Sequence, residues 1–139
     1  SLRRQRQMCI RDSRKAAFRQ LQDFLKRIHD AGIQVAIGTD AGTPNVPFGW
    51  GMHREMAIYV EAGLTPMQTI VAATSSGAAQ MPPLGEADFG TLVAGKVADL
   101  VVLDADPLLD ISNTQKIDRV MRQGEWVDRE QLLPTEQIQ

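Results

Sequence analysis

Cysteine is nearly absent: Cys9 stands alone in 139 residues, so no internal disulfide can form and cysteine usage is silent on redox compartment. Histidine is almost as scarce. His29 and His53, even with Cys9, cannot supply the ligand spacings of a Cys/His zinc cluster. An excess of charge of one sign is also missing, with 15 basic against 17 acidic residues, which removes the electrostatic footprint expected of a nucleic-acid or anionic-membrane partner. No apolar run approaches the roughly 20 residues of a membrane-spanning helix. The start carries Arg and Gln where a signal peptide would carry its apolar centre. Localisation is unknown, with the cytoplasm as the default and the true N-terminus expected to be missing.

What is present divides into three kinds of text. Residues 1–13, "SLRRQRQMCIRDS", have no defensible period and an Arg/Gln bias unlike the rest. They resemble adapter read-through at the end of an assembled gene and are set aside as an artefact, or else as a basic, disordered tail. From Arg14 the sequence becomes helical. Phe18, Leu21, Leu25 and Ile28, with Phe24 beside them, make an apolar stripe; Lys26, Arg27 and His29 crowd the last turn, and Gly32 sits where a left-handed cap is wanted. Residues 33–38 read as a short strand whose consecutive Val35, Ala36 and Ile37 suit a parallel strand covered on both faces. A helix over 54–62 with Met56, Tyr59 and Val60 on one side closes at Gly63. Thr65, Pro66 and Gln68 form a capping box for the next helix, which is expected to turn Met67, Ile70 and Val71 inward and to end by Pro82 and Pro83. Beyond Gly85 the pattern turns to short strands, "FGTL", "VAGKVADLVVLD" and "IDRVMRQGEWV", with Arg122, Gln123, Gly124 and Glu125 as a hairpin connection in a small sheet over 89–128.

Asp40 is the first candidate for chemistry. It ends the apolar run and opens the loop 41–51, which holds three glycines and two prolines and exceeds an economical connection. In an α/β fold, ligands collect at the carboxyl ends of strands, although an aspartate in that place also serves to cap a turn. His53 follows the loop and could face a substrate or merely cap the helix. His29 belongs at the opposite, stabilising end. Asp99 and Asp104 bound strands and are read as turn holders, Met52, Met56 and Met67 as packing, and Trp126 as packing across the sheet.

"IGTDAGTP", then "HREMAIYVEAGLTPMQTIVAAT", then "GTLVAGKVADLVVLDADPLLDI" together resemble the C-terminal portion of a metal-dependent amidohydrolase, in the imidazolonepropionase-like and Xaa-Pro dipeptidase-like subgroup. The resemblance implies an α/β fold: the last part of a distorted (β/α)8 TIM-like barrel plus the C-terminal strands of a small β-sandwich. It assigns residues 14–31 to the seventh barrel helix, 33–39 to the eighth strand and 54–80 to the helices that follow. Residues 14–84 then belong to the barrel, 85–130 to the sandwich and 131–139 to a tail. Asp40 matches the aspartate that, in the family, both ligates the metal and passes a proton to the leaving amine. The activity implied is hydrolysis of a carbon–nitrogen bond in a small-molecule amide or dipeptide, with a divalent metal, zinc by default, as cofactor. An oligomer is compatible with this, as is a superfamily deaminase, or a non-catalytic relative that keeps the barrel for assembly. A free-standing small α+β binding module would require residues 14–128 to fold alone. The family's His-x-His pair, its bridging lysine or equivalent carboxylate, and its two further histidines have no counterparts here, so the chain is read as a fragment, inactive by itself and prone to associate.

Overall fold

The computed structural model describes residues 2–44, 46–82, 87–128 and 132. A long helix α1, Leu2–Asp30, opens the chain. It begins twelve residues before the helix expected from Arg14, so the segment set aside as a tail is helical from residue 2; its Arg and Gln residues are good helix formers even without an apolar period. The C-terminal end matches expectation. Ile33 N–H donates to the Ile28 carbonyl and Gly32 N–H to the His29 carbonyl, a Schellman closure around a left-handed Gly32 at φ 80°. Lys26 pairs with Asp30 in the last turn, and that hydrogen bond is the main reason the Asp30 carboxyl lies below its ordinary range.

The strand expected over 33–38 does not form. A parallel strand exists only by pairing with a neighbour, and among the described residues nothing offers these positions a ladder. The segment is held by other means: Ile37 N–H donates to the Ala72 carbonyl at 3.0 Å, and Val35 and Ile37 pack with Leu25 against the buried Tyr59, Leu64 and Ala72.

Helix α2, Trp50–Glu61, starts four residues earlier than Arg54 and so takes in the end of the glycine-rich loop. Met56 and Tyr59 are buried as expected, and a second Schellman closure at Gly63 (φ 101°) ends it, with Leu64 N–H on the Tyr59 carbonyl. Helix α3, Pro66–Ala73, carries the expected capping box in full: Thr65 Oγ1 accepts from Gln68 N–H, and Gln68 Oε1 accepts from Thr65 N–H. Its inward face is a correction. Thr69 and Ala72 are buried, whereas Met67 and Val71 are exposed and Ile70 is half-buried. Small residues line the face because α3 lies close to α2 and to segment 33–38. The short helix α4, Ser75–Ala79, follows.

The sheet is antiparallel and three-stranded, in the order β1 (Leu100–Leu103), β2 (Ile117–Arg122), β3 (Glu125–Trp126). Arg122 faces Glu125 across Gln123 (φ 53°) and Gly124 (φ 84°), the paired left-handed conformations of a two-residue hairpin turn. Asp99 Oδ1 accepts from Gln123 N–H at 2.7 Å, the turn-holding role expected of it. Arg119 lies over the Trp126 ring, 4.5 Å from its centroid. "FGTL" is not a strand. Its surroundings close in local turns instead, such as Val97 N–H on the Asp88 carbonyl at 2.7 Å. A 3-10 turn, Ile111–Gln115, joins β1 to β2, capped by Asp110, whose carboxylate accepts from Ser112 N–H at 2.8 Å. Pro83, Gly85 and all of the 131–139 tail except residue 132 lie outside the described residues. No described helix is long and apolar enough to cross a membrane.

Candidate active site

Asp40 has φ 51°, a left-handed conformation that an aspartate tolerates but few other side chains adopt. Its carbonyl accepts from Thr43 N–H at 3.3 Å, while Gly42 N–H reaches the Val46 carbonyl at 3.0 Å and Val46 N–H the Thr43 carbonyl at 3.1 Å. The loop therefore coils back on itself directly after Asp40. The carboxylate itself is exposed and takes no hydrogen bond or ion pair among the described residues, so the turn is closed by backbone and not by this side chain.

The loop presents apolar groups to solvent. Phe48, Trp50 and Met52 are exposed, Phe48 to 80%. The Phe48 ring folds over Gly42, where a Cβ would come within 2.8 Å of its Cζ. Gly51, buried at the start of α2, lies where a Cβ would sit 3.1 Å from Val46 Cγ1 and 3.8 Å from Thr39 Cβ. The start of α2 is thus pressed onto the residue before Asp40.

One polar side chain on α2 reaches the backbone that leads to Asp40: Tyr59 donates its hydroxyl hydrogen to the Ala36 carbonyl at 3.1 Å. Burial raises the Glu55 carboxyl above its ordinary range, with the Gly38 backbone N–H a smaller opposing influence. Burial, with the neighbouring Glu55 charge second, raises the Tyr59 phenol. The sequence placed Tyr59 on the apolar side of this helix but gave neither it nor Glu55 a role at the site. The available signal was two polar groups four residues apart on a face otherwise defined by Met56.

His53 does not cap α2, whose N-cap position is Gly49 with no side-chain hydrogen bond. Its Nδ1 lies 3.0 Å from Thr114 Oγ1 in the 3-10 turn. Thr114 donates its one hydroxyl hydrogen to the Ile111 carbonyl at 2.8 Å, so it can only accept from His53. His53 therefore carries its proton on Nδ1 and has its lone pair on Nε2, and burial lowers its pKa. His29 is elsewhere, near Asp30 at the end of α1, with Nδ1 and Oδ1 3.7 Å apart.

A metal ion requires about three to four ligands. Among the described residues no group of three or more His, Cys, Asp or Glu side chains could hold one. Asp40 alone does not fit a metal, and the residues in hand do not complete such a site.

A profile of the Amidohydrolase family matches residues 4–127. The chain is 36% identical over 110 residues to the imidazolonepropionase of Cutibacterium acnes, an alignment covering 76% of this chain and 27% of that protein. It superposes on a Xaa-Pro dipeptidase crystallised with methionine in its active site, with TM-score 0.66 and 30% identity over 78% of this chain and 25% of that one. Molinate hydrolase gives TM-score 0.66 and 28% identity, covering 80% of this chain and 27% of that one. The chain spans about a quarter of the length of the relatives it matches. On the family match across most of its length, this chain belongs to the amidohydrolase family.

Proposed function

We propose that these residues form the C-terminal corner of an amidohydrolase that cleaves a carbon–nitrogen bond in a small amide or dipeptide, and that Asp40 is its catalytic carboxylate. On this reading, segment 33–39 is the last strand position of a (β/α)8 barrel, the helices α2 to α4 follow it, and the sheet over 100–126 is a share of a β-sandwich. The observation that carries the reading is the state of Asp40: a left-handed residue with its carboxylate exposed, at the end of a segment whose backbone is held by hydrogen bonds to α2 and α3. Backbone held in a sparsely populated conformation recurs at functional sites.

Hydrolysis of an amide needs a group that takes a proton from the attacking water and gives one to the departing nitrogen. A carboxylate free of internal partners suits that shuttle, and Asp40 is placed on a loop whose exposed Phe48 and Trp50 would exclude water from one side of a bound substrate. A divalent cation, zinc by default, would need donors beyond Asp40, so the 139-residue chain alone is expected neither to hold one tightly nor to turn over substrate. His53, with Nδ1 engaged by Thr114, has Nε2 to offer as a weaker contact to substrate.

The test uses the full-length enzyme carrying this chain and a panel of imidazolonepropionate and Xaa-Pro dipeptides. Asp40→Asn should lower turnover by at least about 100-fold, within the range that acid–base groups supply, with thermal stability unchanged. Turnover at the wild-type rate would show that Asp40 has no catalytic role.

A further inference from the structure

From Ala41 to Met52 the chain after Asp40 carries no charged side chain, and Phe48, the most open of its three exposed apolar groups, has little of its ring covered. That exposure does not come from a loose backbone. The Pro47 carbonyl accepts from Gly51 N–H at 3.1 Å and the Phe48 carbonyl from Trp50 N–H at 2.9 Å, which fastens the residue to the first turn of α2. The other arm of the loop is tied by Gly42 N–H on the Val46 carbonyl. The Phe48 ring meets Gly42 by its tip: a Cβ at Gly42 would lie 2.8 Å from Cζ and 3.5 Å from both Cε1 and Cε2, so the missing side chain makes room for the ring. Two residues of chain span at most about 7 Å, which bounds the distance from the Gly42 Cα to that of Asp40. The backbone thus seats an open phenyl ring beside the exposed carboxylate.

We propose that Phe48 is a specificity-determining residue: its ring is an apolar platform beside Asp40 that takes one side chain of the substrate, and it selects amides and dipeptides whose side chain there is apolar over those whose side chain is charged. The proposal rests on the catalytic reading of Asp40 and names a substrate class for that site. Laying an apolar group on the ring removes both from water. The ring is already held in place, so little ordering of the loop opposes the contact. A charged group laid there would shed water with no counter-ion from residues 41–52 to replace it. An acidic group would also face the Asp40 carboxylate.

The experiment uses the full-length enzyme and four Xaa-Pro dipeptides that differ only in the first side chain: alanine, leucine, lysine or glutamate. It reads kcat/KM on each, and the melting temperature, for the wild type, Phe48→Ala, Phe48→Tyr and Asp40→Asn. The wild type should favour leucine over alanine by about tenfold, the low end of what a hydrophobic contact contributes to discrimination, and Phe48→Ala should bring that ratio close to one. Phe48→Tyr keeps the platform and should hold the ratio within about twofold. Asp40→Asn should lower turnover on every member without moving the ratio. The proposal alone is overturned if Phe48→Ala keeps the wild-type ratio, or if it loses turnover equally on all four members with a lowered melting temperature, which would mean that the ring packs against the rest of the enzyme. A wild type that favours lysine or glutamate over leucine, or that turns over none of the four, overturns the substrate class. Wild-type turnover in Asp40→Asn would instead defeat the catalytic reading, and the leucine-to-alanine ratio would still report the ring contact.

Discussion

Thr69 is fully buried on α3, and its hydroxyl has no hydrogen-bond partner among the described residues. A buried polar group left unpaired costs about 1–3 kcal/mol, so Thr69→Val, which keeps the shape and removes the hydroxyl, should stabilise the protein by about 1 kcal/mol in a urea titration. A loss of stability would mean that the hydroxyl is satisfied. Asp40 was legible in the sequence because an apolar run ended on a carboxylate before a long loop, and that pattern is local. The hold of Tyr59 on the segment before Asp40 was not legible, because the Ala36 carbonyl that it bonds lies 23 residues away in the chain and is adjacent only in space.

At the scale of elements, α2 is tied to the strand-rich half by His53 Nδ1 and Thr114 Oγ1, 61 residues apart. Burial holds the His53 pKa below its ordinary 6.5, so below that pH the unfolded chain binds more protons than the folded one. The stability involved is present in full above pH 6.5 and is lost as the pH falls through the lowered folded value. His53→Gln can still donate to Thr114 and does not titrate. Between about pH 7.5 and about pH 5.5 the wild-type melting temperature should therefore fall further than that of His53→Gln, the carboxylates contributing alike to both. Parallel curves would show that His53 is not coupled to folding. The helix caps and the hairpin turn were readable beforehand because Gly32, Gly63, Thr65 with Gln68, and Gln123 with Gly124 act on their own few residues. The inward face of α3 was not, since a hydrophobic count favours Met67 and Val71 whereas close packing selects Thr69 and Ala72.

For the whole molecule, the apolar stripe of α1 is more exposed than an amphipathic helix in a closed domain would allow, with Phe18 at 41%, Leu21 at 66% and Phe24 at 58%. Exposed apolar surface of that kind associates. At micromolar concentration the 139-residue chain should scatter light as an oligomer, and Leu21→Glu should shift it toward the monomer with the helix content retained. A monomeric wild type would show that α1 needs no cover.

By itself the sequence determined the features written in a few neighbouring residues: the stripe and cap of α1, the capping box of α3, the hairpin at Gln123 and Gly124, and the ordered motifs that carry the family. Tertiary structure alone decided that residues 33–38 are held by hydrogen bonds to α2 and α3 and not by a ladder, and that His53 Nδ1 is engaged by Thr114. The division has a physical cause. Turns and caps satisfy hydrogen bonds within one turn of chain, whereas a parallel strand, a buried face and a positioning contact depend on groups that only folding brings near.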